Sequence, residues 1–154
     1  MAYQPEYTIT LREVPEQPIL SHRRRMSVED YGSVIGRLFE EAARRHITPA
    51  GPPMTIYHGE AFDPEDMDME LALPLQHAED ATRTLPGGLM AVTTHRGSYG
   101  HLVDAYGALT RWIAGQNLEI SGAPCEVYLQ GPGRGDPEEW RTEIRFPVRL
   151  REAP

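Results

Sequence analysis

The residues of this chain that could do chemistry are six histidines, one cysteine, two tryptophans, seven tyrosines and a set of glutamates on alternating segments. His22, His46, His58, His77, His95 and His101 show neither H-x3-H nor H-x-x-E-H spacing, so the sequence predicts no metal site. Cys125 stands alone beside Pro124, which excludes an internal disulfide and suits a small buried residue. No G-x-S-x-G elbow is present. Gly131-Pro-Gly-Arg-Gly135 lacks the Lys-Ser/Thr ending and the following helix of a phosphate loop, so it reads as a hairpin loop. The last apolar run alternates: Trp140, Thr142, Ile144, Phe146 and Val148 face one way, and Arg141, Glu143, Arg145 and Arg149 the other. Spacing alone makes Glu143 a strand residue paired with Arg141, Arg145 or a neighbouring strand. It also points Trp140 away from Glu143 unless a bulge or bend intervenes. Tyr57 and Tyr128 are half-buried sheet tyrosines or pocket lining. Trp112 neighbours a helical apolar stripe, as core packing or as a pocket edge.

The elements that must position these residues come in two similar sets. Asp63-Pro-Glu…Glu70…Pro74 and Asp136-Pro-Glu…Glu143…Pro147 share the frame DPE-x4-E-x3-P at an offset of 136 − 63 = 73. Upstream the offset is 71: Gly51 pairs with Gly122, Pro53 with Pro124, Tyr57 with Tyr128 and Pro15 with Pro86. In each half, strands flank one helix. Residues around 6–12 and 17–26 alternate as strands. Ser27, with Asp30 three residues on, caps a helix whose apolar positions are Val28, Tyr31, Ile35, Leu38 and Ala42. Met54–His58 and Met67–Leu75 are further strands. The second half has a strand at Leu89–His95, a helix from about Ser98 to Gln116 bearing Leu102, Ala105, Leu109 and Ile113, and strands at Glu126–Leu129 and Trp140–Leu150. The expected fold is α+β, a tandem duplicated pair of βαββ units with pseudo-two-fold symmetry. Its antiparallel sheet carries two helices on one face and leaves a ligand cleft on the other and at the seam. One domain spans 1–154, with repeat one at about 6–76 and repeat two at about 80–151.

Net charge is −8, and all 15 basic residues are Arg. Such a chain is a poor match for phosphate backbones, and the run Arg23–Arg25 is too short to reverse that. No apolar stretch approaches the roughly 20 residues of a membrane helix. The N-terminal residues do not resemble a signal peptide, and cysteine is scarce. A cytoplasmic protein is expected, without cofactor, membrane or nucleic-acid partner of its own.

Three segments resemble the GyrI-like superfamily. Gly122-Ala-Pro-Cys-Glu-Val-Tyr-Leu129 followed by Asp136…Thr142-Glu-Ile-Arg-Phe-Pro-Val148 is similar to its pattern G-x-P-x-E-x-Y-L, then D-P-x4-T-E-I-x-x-P-V. Gly51–His58 with Met69–Pro74 repeats it more loosely, and Arg96-Gly-Ser-Tyr99 resembles the family's G-x-Y entry to the second helix. The resemblance implies a cleft lined by aromatics around a buried acid, which by the T-E-I match is Glu143. It makes Tyr99 a rim residue beside Tyr57, Tyr128, Trp112 and Trp140, and treats Glu70 as structural. Glu126 matches the E-x-Y element, as a ligand contact or a strand anchor. The implied function is sensing or sequestering amphipathic, cationic or aromatic small molecules. The alternatives are a hydrolase that opens cyclopropane-bearing alkylating toxins, with Glu143 activating water, and a protein-interaction module such as a gyrase inhibitor. The fold is expected to begin within about ten residues of Met1, which leaves no room for a helix-turn-helix.

Overall fold

Alternating and helix-spaced segments become nine strands and two α-helices in the computed structural model, which describes residues 6–59, 63–130 and 136–152. The first half holds β1 (Thr10–Val14), β2 (Gln17–Met26), α1 (Tyr31–Arg44), β3 (Met54–His58) and β4 (Met67–Pro74). The second holds β5 (Arg83–Leu85), β6 (Gly88–Arg96), α2 (Leu102–Gly115), β7 (Leu118–Ile120), β8 (Cys125–Gln130) and β9 (Arg141–Leu150). β1 starts at Thr10, later than the expected residue 6, and β5 and β7 are strands that the sequence pattern left as connections. The segment Gly131–Gly135 lies outside the described residues.

The strands form one curled antiparallel sheet in the order β1-β6-β9-β8-β3-β4-β2-β5, with β7 added beside β9. Exchanging β1, β2, β3 and β4 for β5, β6, β8 and β9 turns this order into its own reverse. The centre is the β3–β8 pair, where Thr55 lies opposite Glu126. Its flanks are reciprocal: Tyr57 N donates to Pro124 O at 3.1 Å, and Tyr128 N donates to Pro53 O at 3.0 Å.

Both helices pack on one face. α1 begins where Ser27 Oγ accepts from Glu29 N and Asp30 Oδ2 accepts from Ser27 N, a capping box over a 3-10 first turn. It buries Val34, Leu38 and Ala42 on Leu71 and Leu73. α2 buries Ala105, Leu109 and Ile113 on Ile144 and Phe146. A third cluster, Ile19, Met54, Ile56, Ala72, Cys125 and Val127, fills the opposite face of the sheet.

Candidate ligand site

Alternation sorts the carboxylates onto different faces. Val127 pairs with Glu143 and Tyr128 with Thr142 across β8 and β9, so Glu143 points to the face away from the helices, and Glu126 and Tyr128 point towards them. Glu143 is buried and held by two guanidiniums: Arg12 Nη2 donates to Oε1 at 3.0 Å, and Arg145 Nε to Oε2 at 2.6 Å. Burial pushes its carboxyl up, but Arg145 and Arg12 outweigh that and hold it below the ordinary glutamate range. Glu70 is its counterpart in the first half. It accepts from Ser21 Oγ at 2.7 Å, His58 Nε2 at 2.9 Å and Arg83 Nε at 2.8 Å. Against the upward push of burial, these partners bring its carboxyl down to about 2. Arg12 and Arg83 are themselves related by the offset of 83 − 12 = 71, and each clamps the acid of the other half.

Glu126 is held differently. Its carboxylate is 4% exposed and accepts three tyrosine hydroxyls: Tyr106 at 2.5 Å, Tyr128 at 2.9 Å and Tyr57 at 3.2 Å. The Thr55 and Tyr128 hydroxyls lie 2.8 Å apart, so Thr55 can donate when Tyr128 gives its one proton to Glu126. Among the described residues no Arg or His pairs with Glu126. Burial raises its carboxyl above the ordinary range, and the hydroxyls of Tyr106, Tyr128 and Tyr57 offset only part of that rise. The same burial lifts the tyrosines; Tyr99 is pushed up to about 12, and the charge of Glu126 adds to the effect.

A row of half-buried rings lies above this acid. Tyr31, at the start of α1, meets Tyr128 edge-on at 5.4 Å between centroids; Tyr99 lies 5.9 Å beyond, and Trp140 stacks obliquely on Tyr99 at 4.9 Å. Gly97, at φ 121°, makes the turn that presents Tyr99, in a conformation that a side chain would strain. Its N donates to Trp140 O at 2.8 Å. His95, fully buried, braces that turn between the Tyr7 hydroxyl at 2.9 Å and Ser98 O at 3.0 Å.

The structure thus gathers Tyr57, Tyr99, Tyr128 and Trp140, and places neither Glu143 nor Trp112 with them. Trp112 packs against the core under α2. The rings gather between the helices, on the face opposite to the one where the cleft was expected. Tyr31, Tyr106 and Thr142 join them without a signal in the sequence, and Glu126, which matches the E-x-Y element, lies among the tyrosine hydroxyls. One signal was available: Cys125-Glu-Val-Tyr128 alternates, which puts Glu126 and Tyr128 on one face. Cys125 is buried and its thiol is pushed up to about 12 by burial, which leaves it unreactive. Among the described residues no group of three His, Cys, Asp or Glu is placed to hold a metal, and no helix is long and apolar enough to cross a membrane.

No curated protein matches the chain. A protein-family model described as GyrI-like small molecule binding domain matches residues 7–149. Among solved structures, the EcmrR C-terminal domain aligns with a TM-score of 0.85 at 25% identity, over 94% of this chain and 98% of that one. The longer EcmrR chain of a cryo-EM EcmrR–DNA complex aligns with a TM-score of 0.83 at 25% identity over 95% of this chain, which spans 58% of it. A hydrolase from Listeria innocua (TM-score 0.73, 14% identity, 96% and 94% covered) shares the fold. So does SAV2435 bound to tetraphenylphosphonium (TM-score 0.61, 14% identity, 92% and 94% covered).

Proposed function

The chain belongs to the GyrI-like small molecule binding domain family, and on that premise we propose that it binds an aromatic cation between its two helices, with Glu126 as the counter-charge. One observation carries this reading. Glu126 is a buried carboxylate with hydroxyl donors and rings around it but no cation among the described residues, whereas Glu70 and Glu143 each have an arginine. Removing a carboxylate from water without a counter-ion is costly. A ligand cation would supply what is missing, and the row Tyr31–Tyr128–Tyr99–Trp140 would supply apolar area and cation–π attraction. The tetraphenylphosphonium carried by SAV2435 is an aromatic cation of this kind and serves as a probe.

Titration calorimetry of the whole chain with tetraphenylphosphonium tests the reading. We expect saturable binding that Glu126→Gln weakens by roughly ten- to hundredfold, the scale of a charge-assisted contact of about 1.5–3 kcal/mol. Glu143→Gln, on the other face and sharing no partner with Glu126, is expected to keep the affinity within about twofold. Absence of binding, or equal binding by Glu126→Gln, refutes the assignment. A strong effect of Glu143→Gln in a protein that stays folded returns the site to the opposite face.

The raised carboxyl of Glu126 beside three hydroxyls supports a second reading, proton transfer during hydrolysis of a strained electrophile such as a cyclopropane-bearing alkylator. A hydrolase among the proteins of similar fold is compatible with it. Formation of a water adduct, followed by mass, tests this reading, and turnover no higher than that of Glu126→Gln ends it.

A further inference from the structure

Two polar atoms beside the ring row have no hydrogen-bond partner among the described residues: the indole Nε1 of Trp140 and Oγ1 of Thr142. Both atoms are buried, and Thr142 as a whole residue is 0% exposed. Buried polar atoms in folded proteins are nearly always paired, so two such atoms two residues apart call for a partner that the described residues do not supply. Trp140 immediately precedes β9, and Thr142 is the second residue of that strand, on the helix-bearing face. Thr142 lies opposite Tyr128 in register, and the Trp140 ring is 4.9 Å from Tyr99. Both residues thus lie beside the ring row, Thr142 next to Tyr128 and Trp140 one ring further from Glu126. An indole N–H can only donate, and a threonine hydroxyl donates readily. The repeat mates of these residues, offset by 73, are Met67 and Met69, so the first half has no equivalent pair of donors.

We propose that the site along the ring row recognises a hydrogen-bond acceptor as well as a cation. Its ligands are aromatic cations bearing a carbonyl-type oxygen, received by Trp140 Nε1 and Thr142 Oγ1 while the positive centre lies towards Glu126. The inference rests on the reading that Glu126 faces the ligand cation. It assigns Trp140 and Thr142 as the residues that choose among cations of similar size, because a site built to pair an acceptor rejects the analogue that lacks it.

The test uses two probes of equal charge and nearly equal shape, para-acetylphenyl-triphenylphosphonium and para-isopropylphenyl-triphenylphosphonium. The whole chain is titrated with each. We expect the acetyl probe to bind about tenfold more tightly, and this preference to fall within about twofold in Trp140→Phe and in Thr142→Val. Glu126→Gln is expected to weaken both probes alike and to leave the preference intact. Thr142→Val is nearly isosteric and removes an unpaired hydroxyl, so the ligand-free variant should melt no lower than wild type. If both probes bind and depend on Glu126 but show no preference, or if the preference survives both Trp140→Phe and Thr142→Val, the acceptor site is overturned while the cation reading stands. A lower melting temperature for Thr142→Val would mean that the hydroxyl is already bonded in the fold, and also overturns the site. If neither probe binds, both readings fall.

Discussion

Where Glu126 is protonated in the free protein, binding of a cation beside it should expel that proton, and the number of protons released is measurable. In the free protein, burial holds the Glu126 carboxyl above the ordinary glutamate range despite the opposing hydroxyls of Tyr106, Tyr128 and Tyr57. A cation beside it favours the carboxylate. Below the free protein's value the group is protonated before binding and charged after it. Linkage sets the size of the effect: affinity weakens by up to about tenfold, or about 1.36 kcal/mol, per pH unit below that value, and levels off above it. Glu70, at about 2, and Glu143, also held low, stay charged over this range and add no slope. Glu126→Gln has no proton to lose at this position, so the difference between its curve and that of wild type isolates Glu126. Calorimetry of tetraphenylphosphonium binding in two buffers of unequal ionisation enthalpy counts the protons directly. Wild type is expected to release up to about one more proton than Glu126→Gln at a pH below that at which Glu126 titrates in the free protein. Tyr106→Phe removes the donor at 2.5 Å but keeps the ring against Phe146, and so should move the midpoint to higher pH. Equal wild-type affinity at about pH 4.5 and about pH 8, or a wild-type slope in Glu126→Gln, would refute the reasoning.

Two further outcomes follow from the opposite face and from the core. Glu70 titrates at about 2 in the folded chain and near 4.3 when unfolded, so the unfolded state takes up its proton first as acid is added. Its stabilising contribution is present above about 4.3 and lost as the pH falls towards about 2; urea unfolding at about pH 6 and about pH 3 should show a smaller loss in Glu70→Gln than in wild type. Leu38, fully buried under α1, should cost about 3–5 kcal/mol on replacement by Ala and lower the melting temperature by roughly 6–15 °C, while the neighbouring Phe39→Ala, at 44% exposure, should cost far less.

Much of this fold is legible in the order of residues. β2, β3, β4 and both helices lie within a few residues of where alternation and helical spacing put them, because each carries its own one-sided apolar pattern. β5 and β7 have three residues each, too few to establish a period, and exist because β2 and β9 offer open partners. Among the rings, Tyr57, Tyr128 and Tyr99 are legible in the sequence, whereas the different surroundings of Glu143, clamped by arginines, and Glu126, held by tyrosines, are not. Parity along the strands separates Trp140 from Glu143 and joins Glu126 to Tyr128, and that local rule proves the better guide to which residues share a face. Tyr31 and Tyr106 were out of reach, since their positions over Glu126 depend on how each helix is rotated on the sheet, which is set by tertiary packing.

The crossed clamps, Arg12 on Glu143 and Arg83 on Glu70, bear on what a piece of this protein could do by itself. A chain cut between β4 and β5 would separate each acid from an arginine supplied by the other fragment and expose β3, whose central neighbour is β8. Neither fragment could meet these needs internally, yet each presents what the other lacks. The two pieces should therefore find one another in solution and rebuild the clamps between molecules, which makes the molecule a natural candidate for a split reporter whose reassembly also recreates the surroundings of Glu126.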